Sequence, residues 1–189
     1  ASIALDSGSR AHISYQDGAN DDLKYARLHC TGYTCGWLTE TVDSTDSTGS
    51  YTSIAMDGGD YPHISYYYWP DGALRYAYQD AAGWHLETVD SGLGNAGGYT
   101  SLALDGSGRP HISYYDDTSA NLKYAWHDGT SWHIEAVDTA GSVGRDGCLA
   151  LDGSGRPHIS YYDLSNTALK YAAYDGAGPD KAYDRQERS

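Results

Sequence analysis

The sequence predicts an all-β protein built from repeats, and three observations carry that prediction. The stretch LALDGSGRPHISYYD occurs letter for letter at Leu102–Asp116 and Leu149–Asp163, with looser copies from Ile3 and Ile54. Its histidines fall at His12, His63, His111 and His158, spacings of 51, 48 and 47 residues, which is the period of a repeat architecture. Apolar residues alternate with polar ones at period 2, and no stretch shows the 3.6-residue period of a helix. The aromatic content is 19 Tyr and 5 Trp with no Phe; tyrosine pairs well across strands and tolerates a wet edge, which favours sheet.

Each repeat supplies four strand candidates, a to d. The first gives Ser2–Asp6, His12–Asp17, Leu23–Leu28 and Trp37–Asp43. The second gives Ser53–Asp57, His63–Tyr68, Leu74–Gln79 and Trp84–Asp90. The third gives Ser101–Asp105, His111–Asp116, Leu122–His127 and Trp132–Asp138. The fourth gives Cys148–Asp152, His158–Asp163 and Leu169–Tyr174, after which Pro179 stands where a tryptophan would open strand d. Turns within a repeat hold Gly, Asn, Asp or Ser, as hairpins require. The link from d to the next a is longer and glycine-rich, which suits a return from the rim of a radial array to its axis.

Alternation in strands a, b and c assigns each sheet one bulky face and one small, polar face, so that neighbouring sheets interlock. The fold predicted is therefore a β-propeller of four antiparallel repeats, 1–52, 53–100, 101–147 and an incomplete 148–178, with 179–189 an irregular tail. Fifteen strands leave one outer edge open. Two such arcs pairing head to tail in a homodimer is one outcome. A closed four-bladed monomer, with Lys181–Asp184 patching the last edge, is the other.

The formal net charge of −14 and the scatter of the twelve basic residues predict no nucleic-acid partner. No run is long enough to span a bilayer. Cys30 and Cys35 flank the one lengthened c–d turn and are expected to be bonded, which points to a secreted, extracellular setting. Cys148 occupies the position of Ser2, Ser53 and Ser101 and is expected to be a free, buried small residue.

The set Asp-x5-His-x-Ser recurs at Asp6/His12/Ser14, Asp57/His63/Ser65, Asp105/His111/Ser113 and Asp152/His158/Ser160. Recurrence in every repeat marks a structural hydrogen-bond network. It argues against a catalytic triad, and a ring of metal-binding histidines is the alternative. No cofactor is predicted; calcium on turn carboxylates such as Asp17, Asp21 and Asp22 matches no loop pattern.

A second recurrent set comprises Lys24, Arg75 and Lys123 on strand c (with Lys170 in the fourth repeat) and Glu40, Glu87 and Glu135 on strand d. It reads either as cross-strand ion pairs or, beside Trp37, Trp84 and Trp132, as repeated sugar sites. Tyr67, Tyr68 and Trp69 break the repeat with an aromatic cluster in a turn, a candidate ligand platform.

Three resemblances attach to these residues. The Asp–His–Ser set resembles the internal network of WD40 blades. HDGTSW, ending at Trp132, is similar to a degenerate Asp-box turn of sialidase-type propellers. ISYYDD…LKYAWHDGTSW resembles blades of tachylectin-like and fucose-binding lectins, which implies a carbohydrate ligand at sites between blades. Where fucose lectins carry an arginine on the second strand, this chain has Ile13, Ile64, Ile112 and Ile159. The function expected is extracellular ligand binding of the lectin type. The alternatives are a glycan hydrolase or lyase with one site on the propeller face, and a purely structural repeat module.

Overall fold

The computed structural model describes residues 1–91, 96–174 and 182–183, the last two as backbone only. The first sheet contains β1 (Ser2–Leu5), β2 (Ala11–Asp17), β3 (Asp22–Thr31) and β4 (Thr34–Asp43). The second contains β5 (Thr48–Met56), β6 (Pro62–Tyr68), β7 (Ala73–Asp80) and β8 (Gly83–Asp90). The third contains β9 (Ala96–Leu104), β10 (Pro110–Asp116), β11 (Asn121–His127) and β12 (Trp132–Asp138). The fourth contains β13 (Val143–Leu151), β14 (Pro157–Asp163), β15 (Ala168–Ala173) and β16 (Ala182–Tyr183). Each sheet is an antiparallel meander in chain order, so each is one blade.

Two strand expectations are corrected. Strand a of blades 2 to 4 starts several residues earlier than predicted, because the chain crosses a bulge instead of entering from a loop. The register jumps between Ser50 and Ser53, and again between Arg145 and Cys148. Tyr51, Tyr99 and Asp146 hold left-handed φ values of 51°, 54° and 51° at these bulges. The tail expected to be irregular contains β16, whose Tyr183 pairs with Tyr171. Pro179, Lys181 and Asp184 lie outside the described residues.

The expected division into a bulky and a small face is also corrected. Ile112 pairs with Ala125 and Ser113 with Tyr124, so bulky residues of adjacent strands point to opposite faces. Leu102, Ile112, Tyr114 and Ala125 of blade 3 pack on Leu74, Tyr76 and Val89 of blade 2. Each face thus mixes large and small side chains, and the core lies between blades.

Three devices recur at every described junction. The hydroxyls of Ser2, Ser53 and Ser101 accept hydrogen bonds from the amides of Ile54, Leu102 and Leu149 in the next blade. The carboxylate ending strand d accepts from a buried tyrosine hydroxyl and a base of the next blade. Asp43 takes Tyr66 at 2.7 Å and Arg75 at 3.0 Å; Asp90 takes Tyr114 at 2.7 Å and Lys123 at 3.1 Å; Asp138 takes Tyr161 at 2.7 Å and Lys170 at 3.1 Å. Third, a glycine of each connector (Gly49, Gly97, Gly144) crosses the Cα of Leu23, Leu74 or Leu122 in the preceding blade.

Cys148, expected to be buried, is exposed. It holds the junction serine's place in blade 4, and no described blade follows to cover it. On the opposite end, Ile3 and Leu5 of blade 1 are 64% and 59% exposed.

A missing partner marks the third junction. Thr52 donates to Ser14 at 2.7 Å and Thr100 pairs with Ser65 at 2.8 Å. Gly147 stands in that threonine's place, and the Ser113 hydroxyl is buried with no hydrogen-bond partner among the described residues. A Cβ at Gly147 would meet nothing closer than 3.5 Å. Gly147→Thr is expected to stabilise by about 1–2 kcal/mol, from one buried hydrogen bond and reduced freedom of the unfolded chain. Thermal melting checks it, and a lower midpoint would show that Ser113 does not want this partner.

Candidate functional site

The repeated Asp–His–Ser set separates into three arrangements. The a–b turn carboxylate takes backbone amides: Asp105 accepts from Ser107 at 2.8 Å and Arg109 at 2.9 Å, and its other oxygen accepts from the Arg109 guanidinium at 2.7 Å. Asp152 holds Arg156 in the same way. These donors keep the Asp105 carboxyl at about 2, although burial alone would raise it. The histidine bonds through Nδ1 to a strand-c tyrosine, as His12–Tyr25, His63–Tyr76, His111–Tyr124 and His158–Tyr171. Its Nε2 lies 3.3, 3.6, 3.8 and 3.8 Å from Asp6, Asp57, Asp105 and Asp152.

The serine leaves this network altogether, so the expected His–Ser contact is corrected to a His–Tyr contact. Ser14, Ser65 and Ser113 are fully buried at the junction with the following blade. Ser160 was expected to join His158 and Asp152 in the fourth repeat, and that expectation is corrected too. It sits mid-strand in β14, opposite Cys148 on one side and Tyr171 on the other. It is only half-buried, because no described blade follows blade 4 to cover it. The hydroxyl of Tyr171 takes the His158 Nδ1 instead.

Burial holds His63 and His111 below the ordinary imidazole value, against the pull of Asp57 and Asp105. Burial also pushes the Tyr76 and Tyr124 hydroxyls up, so they stay protonated and donate to a neutral ring. That assigns the proton on His63 and His111 to Nε2, on the side of Asp57 and Asp105.

The expected pairing of strand-c bases with strand-d glutamates is corrected as well. Glu87 lies opposite Tyr76 and Glu135 opposite Tyr124, and Lys123 is one residue off, on the other face. Lys24, Arg75 and Lys123 pair instead with aspartates, Lys24 with Asp22 at 3.2 Å and the others in the junction contacts above.

What converges between blades 2 and 3 is a cleft of about 210 Å³. Blade 2 contributes His63, Tyr76, Tyr78 and Glu87; blade 3 contributes Arg109, Pro110, His127 and Trp132. The Trp132 indole donates to Glu87 at 2.8 Å and meets Tyr76 edge-on at 5.3 Å. Between blades 3 and 4 the equivalent cleft is larger, about 470 Å³, lined by His111, Tyr124, Trp126, Glu135, Arg156 and Tyr174 among others. Tyr124 and Trp126 stack at 5.4 Å, matching Tyr76 and Tyr78 at 5.7 Å.

Tryptophan and glutamate of one strand therefore serve different clefts. Trp84 packs on Tyr25 of blade 1 at 5.4 Å, where Glu40 is exposed, and Trp37 has no described blade before it. Sequence reading named the tryptophans and glutamates but missed Arg109 and Arg156. Their signal was available: each stands two residues before the repeated histidine. Ile64 and Ile112 are fully buried in the blade cores, so arginine reaches these clefts from the a–b turn.

The aromatic cluster divides. Arg75 lies 3.5 Å over the Tyr68 ring, whereas Tyr67 and Trp69 line a separate cavity at another edge of the blades. The Asp-box-like turn closes on its carboxylate, with Asp128 accepting from Thr130, Ser131 and His133 at 2.7, 2.9 and 2.6 Å. Cys30 and Cys35 form the expected disulfide. Among the described residues no cluster of three or more His, Cys, Asp or Glu could hold a metal, and no helix is long and apolar enough to cross a membrane.

No protein-family model and no curated protein matches the chain. Solved structures do. A fucose lectin from Kordia zhangzhouensis, in complex with methyl-fucoside, is 25% identical with a TM-score of 0.50, over 70% of this chain and 95% of that one. A polysaccharide lyase described as an ulvan lyase gives 0.62 at 15% identity, over 95% of this chain and 54% of that one. An exo-β-1,3-galactanase from Phanerochaete chrysosporium gives 0.60 at 10% identity, over 96% of this chain and 47% of that one. The chain spans about half the length of these two enzymes. With its four meander sheets and these neighbours, the chain is a β-propeller.

Proposed function

We propose that this protein is a secreted carbohydrate-binding propeller whose ligand sites are the clefts between blades. The observation that carries this reading is the recurrence of one constellation in two clefts. Each has a stacked aromatic pair, a glutamate, a neutral buried histidine and an arginine held by its turn aspartate. Flat rings suit the apolar face of a pyranose, and the glutamate and arginine supply an acceptor and a donor for its hydroxyls. Equal sites repeated around an arc favour avidity over turnover. The likeness to a fucose lectin supports the same reading, and the disulfide supports secretion.

A glycan array followed by titration calorimetry on its hits tests it. Glu87→Gln with Arg156→Ala is expected to weaken binding at least about tenfold, or ~1.4 kcal/mol. Hits whose affinity ignores both changes would refute the cleft assignment, and hits that are cleaved would make the clefts catalytic.

The exposed end faces support the head-to-tail homodimer as well. At that junction Cys148 would occupy the serine's place against the Ile3 amide of the second copy. Light scattering at micromolar concentration is expected to give twice the 20.4 kDa chain mass; the monomer mass would exclude the pairing.

A further inference from the structure

The cavity that holds Tyr67 and Trp69 lies where the bulged starts of strand a meet the ends of strand b. Tyr51, Tyr67, Tyr99 and Tyr115 form its wall, with Arg145 and Asp117 at the side, and it encloses about 160 Å³. The rings make a continuous set. Tyr51 and Tyr99 lie 4.7 Å apart, Tyr67 and Trp69 5.0 Å edge-on, and Tyr99 and Tyr115 6.2 Å edge-on. Arg145 sits over Tyr115 at 5.0 Å and reaches Asp117 at 3.3 Å.

The wall of this cavity is two repeated tyrosine pairs, Tyr51/Tyr99 and Tyr67/Tyr115, while the groups at its side depart from the repeat. Trp69 and Asp117 hold equivalent positions, where blades 1 and 4 have Gly18 and Leu164. Arg145 replaces Ser50 and Gly98, and Asp146 replaces Tyr51 and Tyr99. Scaffold needs would repeat the same residue at each blade, as the junction contacts do.

We propose that this cavity is a second ligand site, of a different class from the clefts, that takes a single neutral pyranose ring. Its volume falls below the ~300–1,000 Å³ of sites for drug-sized ligands, which fits one ring and not a chain. The tyrosine and Trp69 faces cover the apolar side of the ring. Arg145 donates and Asp117 accepts, so a vicinal diol can bridge the two. The paired charges cancel, which favours a neutral sugar over a uronate.

Saturation-transfer NMR and calorimetry with methyl pyranosides and free uronates test this on the whole chain. Trp69→Ala and Arg145→Gln are expected to abolish one class of binding of neutral pyranosides, leaving cleft binding intact. Glu87→Gln with Arg156→Ala should do the reverse, so the two readings fail separately. Trp69 is half exposed, so its variant is expected to keep the parent melting point. Retained binding of every pyranoside in both cavity variants, or preference for uronates, overturns the proposal.

Discussion

Gly97→Ala is expected to lower stability by about 2–5 kcal/mol, roughly 5–20 °C in melting midpoint for a chain of this size. Gly97 has φ of +120°, and a Cβ there would lie 2.8 Å from the Leu74 Cα. The first feature denies the conformation to any L side chain, and the second puts the new methyl against backbone, which has no rotamer to yield. The contact is also the place where the start of one blade crosses the core of the preceding blade, so relief would require moving a whole sheet. Gly106→Ala is the control: no atom lies within 4 Å of its Cβ site. Differential scanning calorimetry of the two variants decides the matter. Equal midpoints would show that the connector, not the glycine, sets the spacing of the blades.

Asp43→Ala is expected to cost about 3 kcal/mol, because removing this acceptor strands a buried hydroxyl and a mostly buried guanidinium. The Asp43 side chain is fully buried and accepts from Tyr66, Arg75 and Thr45. Arg75 retains partial solvent access, which keeps the cost at the low end. Asp43→Asn, which keeps the side-chain shape and one of the two acceptor oxygens, should cost less. Burial would raise the Asp43 carboxyl, yet Thr45, Tyr66 and Arg75 together hold it below the ordinary 3.8. A depressed carboxyl contributes fully above that value and loses its contribution as pH falls through the folded one. His63 and His111 act earlier: their lowered pKa values mean the unfolded chain takes protons below 6.5 that the folded chain resists. Stability should therefore decline first below about pH 6.5 and again below about pH 4. Asp43→Ala should make the second decline shallower without removing it, since Asp105 and Asp116 among others are also held low, and should leave the first; a parallel pH profile would argue that Asp43 is not ionised in the fold.

The architecture was legible because repetition exposes itself. Four copies of one histidine-bearing strand, with hairpin turns between, leave few alternatives to a radial array of sheets. Face assignment failed because it treated strands singly. Only the register, Ile112 against Ala125, reveals that large residues alternate sides from strand to strand. Partner assignment failed for a related reason. Within one repeat, Lys123 and Glu135 look like neighbours, whereas Lys123 pairs with Asp116 on strand b and with Asp90 of the preceding repeat. The serines misled in the same way, since His and Ser look paired within a repeat while Ser14 and Ser65 bond to threonines of the next blade. Ser113 is buried at that junction without a partner among the described residues, and Ser160 has no described blade to serve. Contacts made between repeats are invisible to any reading that stops at the repeat boundary. Arg109 and Arg156 were overlooked because they sit in an identical segment and so read as scaffold. The cavity tyrosines were half visible: Tyr67 and Trp69 stood out as irregular, but Tyr51 and Tyr99 needed the bulge to bring them to the same place.

The junction contacts have a consequence for how the molecule comes apart. Because the hydrogen bonds and buried rings between blades join successive sheets, the protein behaves as a short one-dimensional chain of coupled units. Within a single unpaired copy, blades 2 and 3 are held from both sides, whereas blades 1 and 4 each contact one described blade; head-to-tail pairing would hold those two from both sides as well. In the unpaired chain amide protection should then fall outward from the β6–β11 region, with the end sheets opening as separate cooperative units before the centre, a gradient that head-to-tail pairing would level. The clefts do not share that fate equally: the one between blades 2 and 3 survives the loss of either end, and the one between blades 3 and 4 vanishes with blade 4.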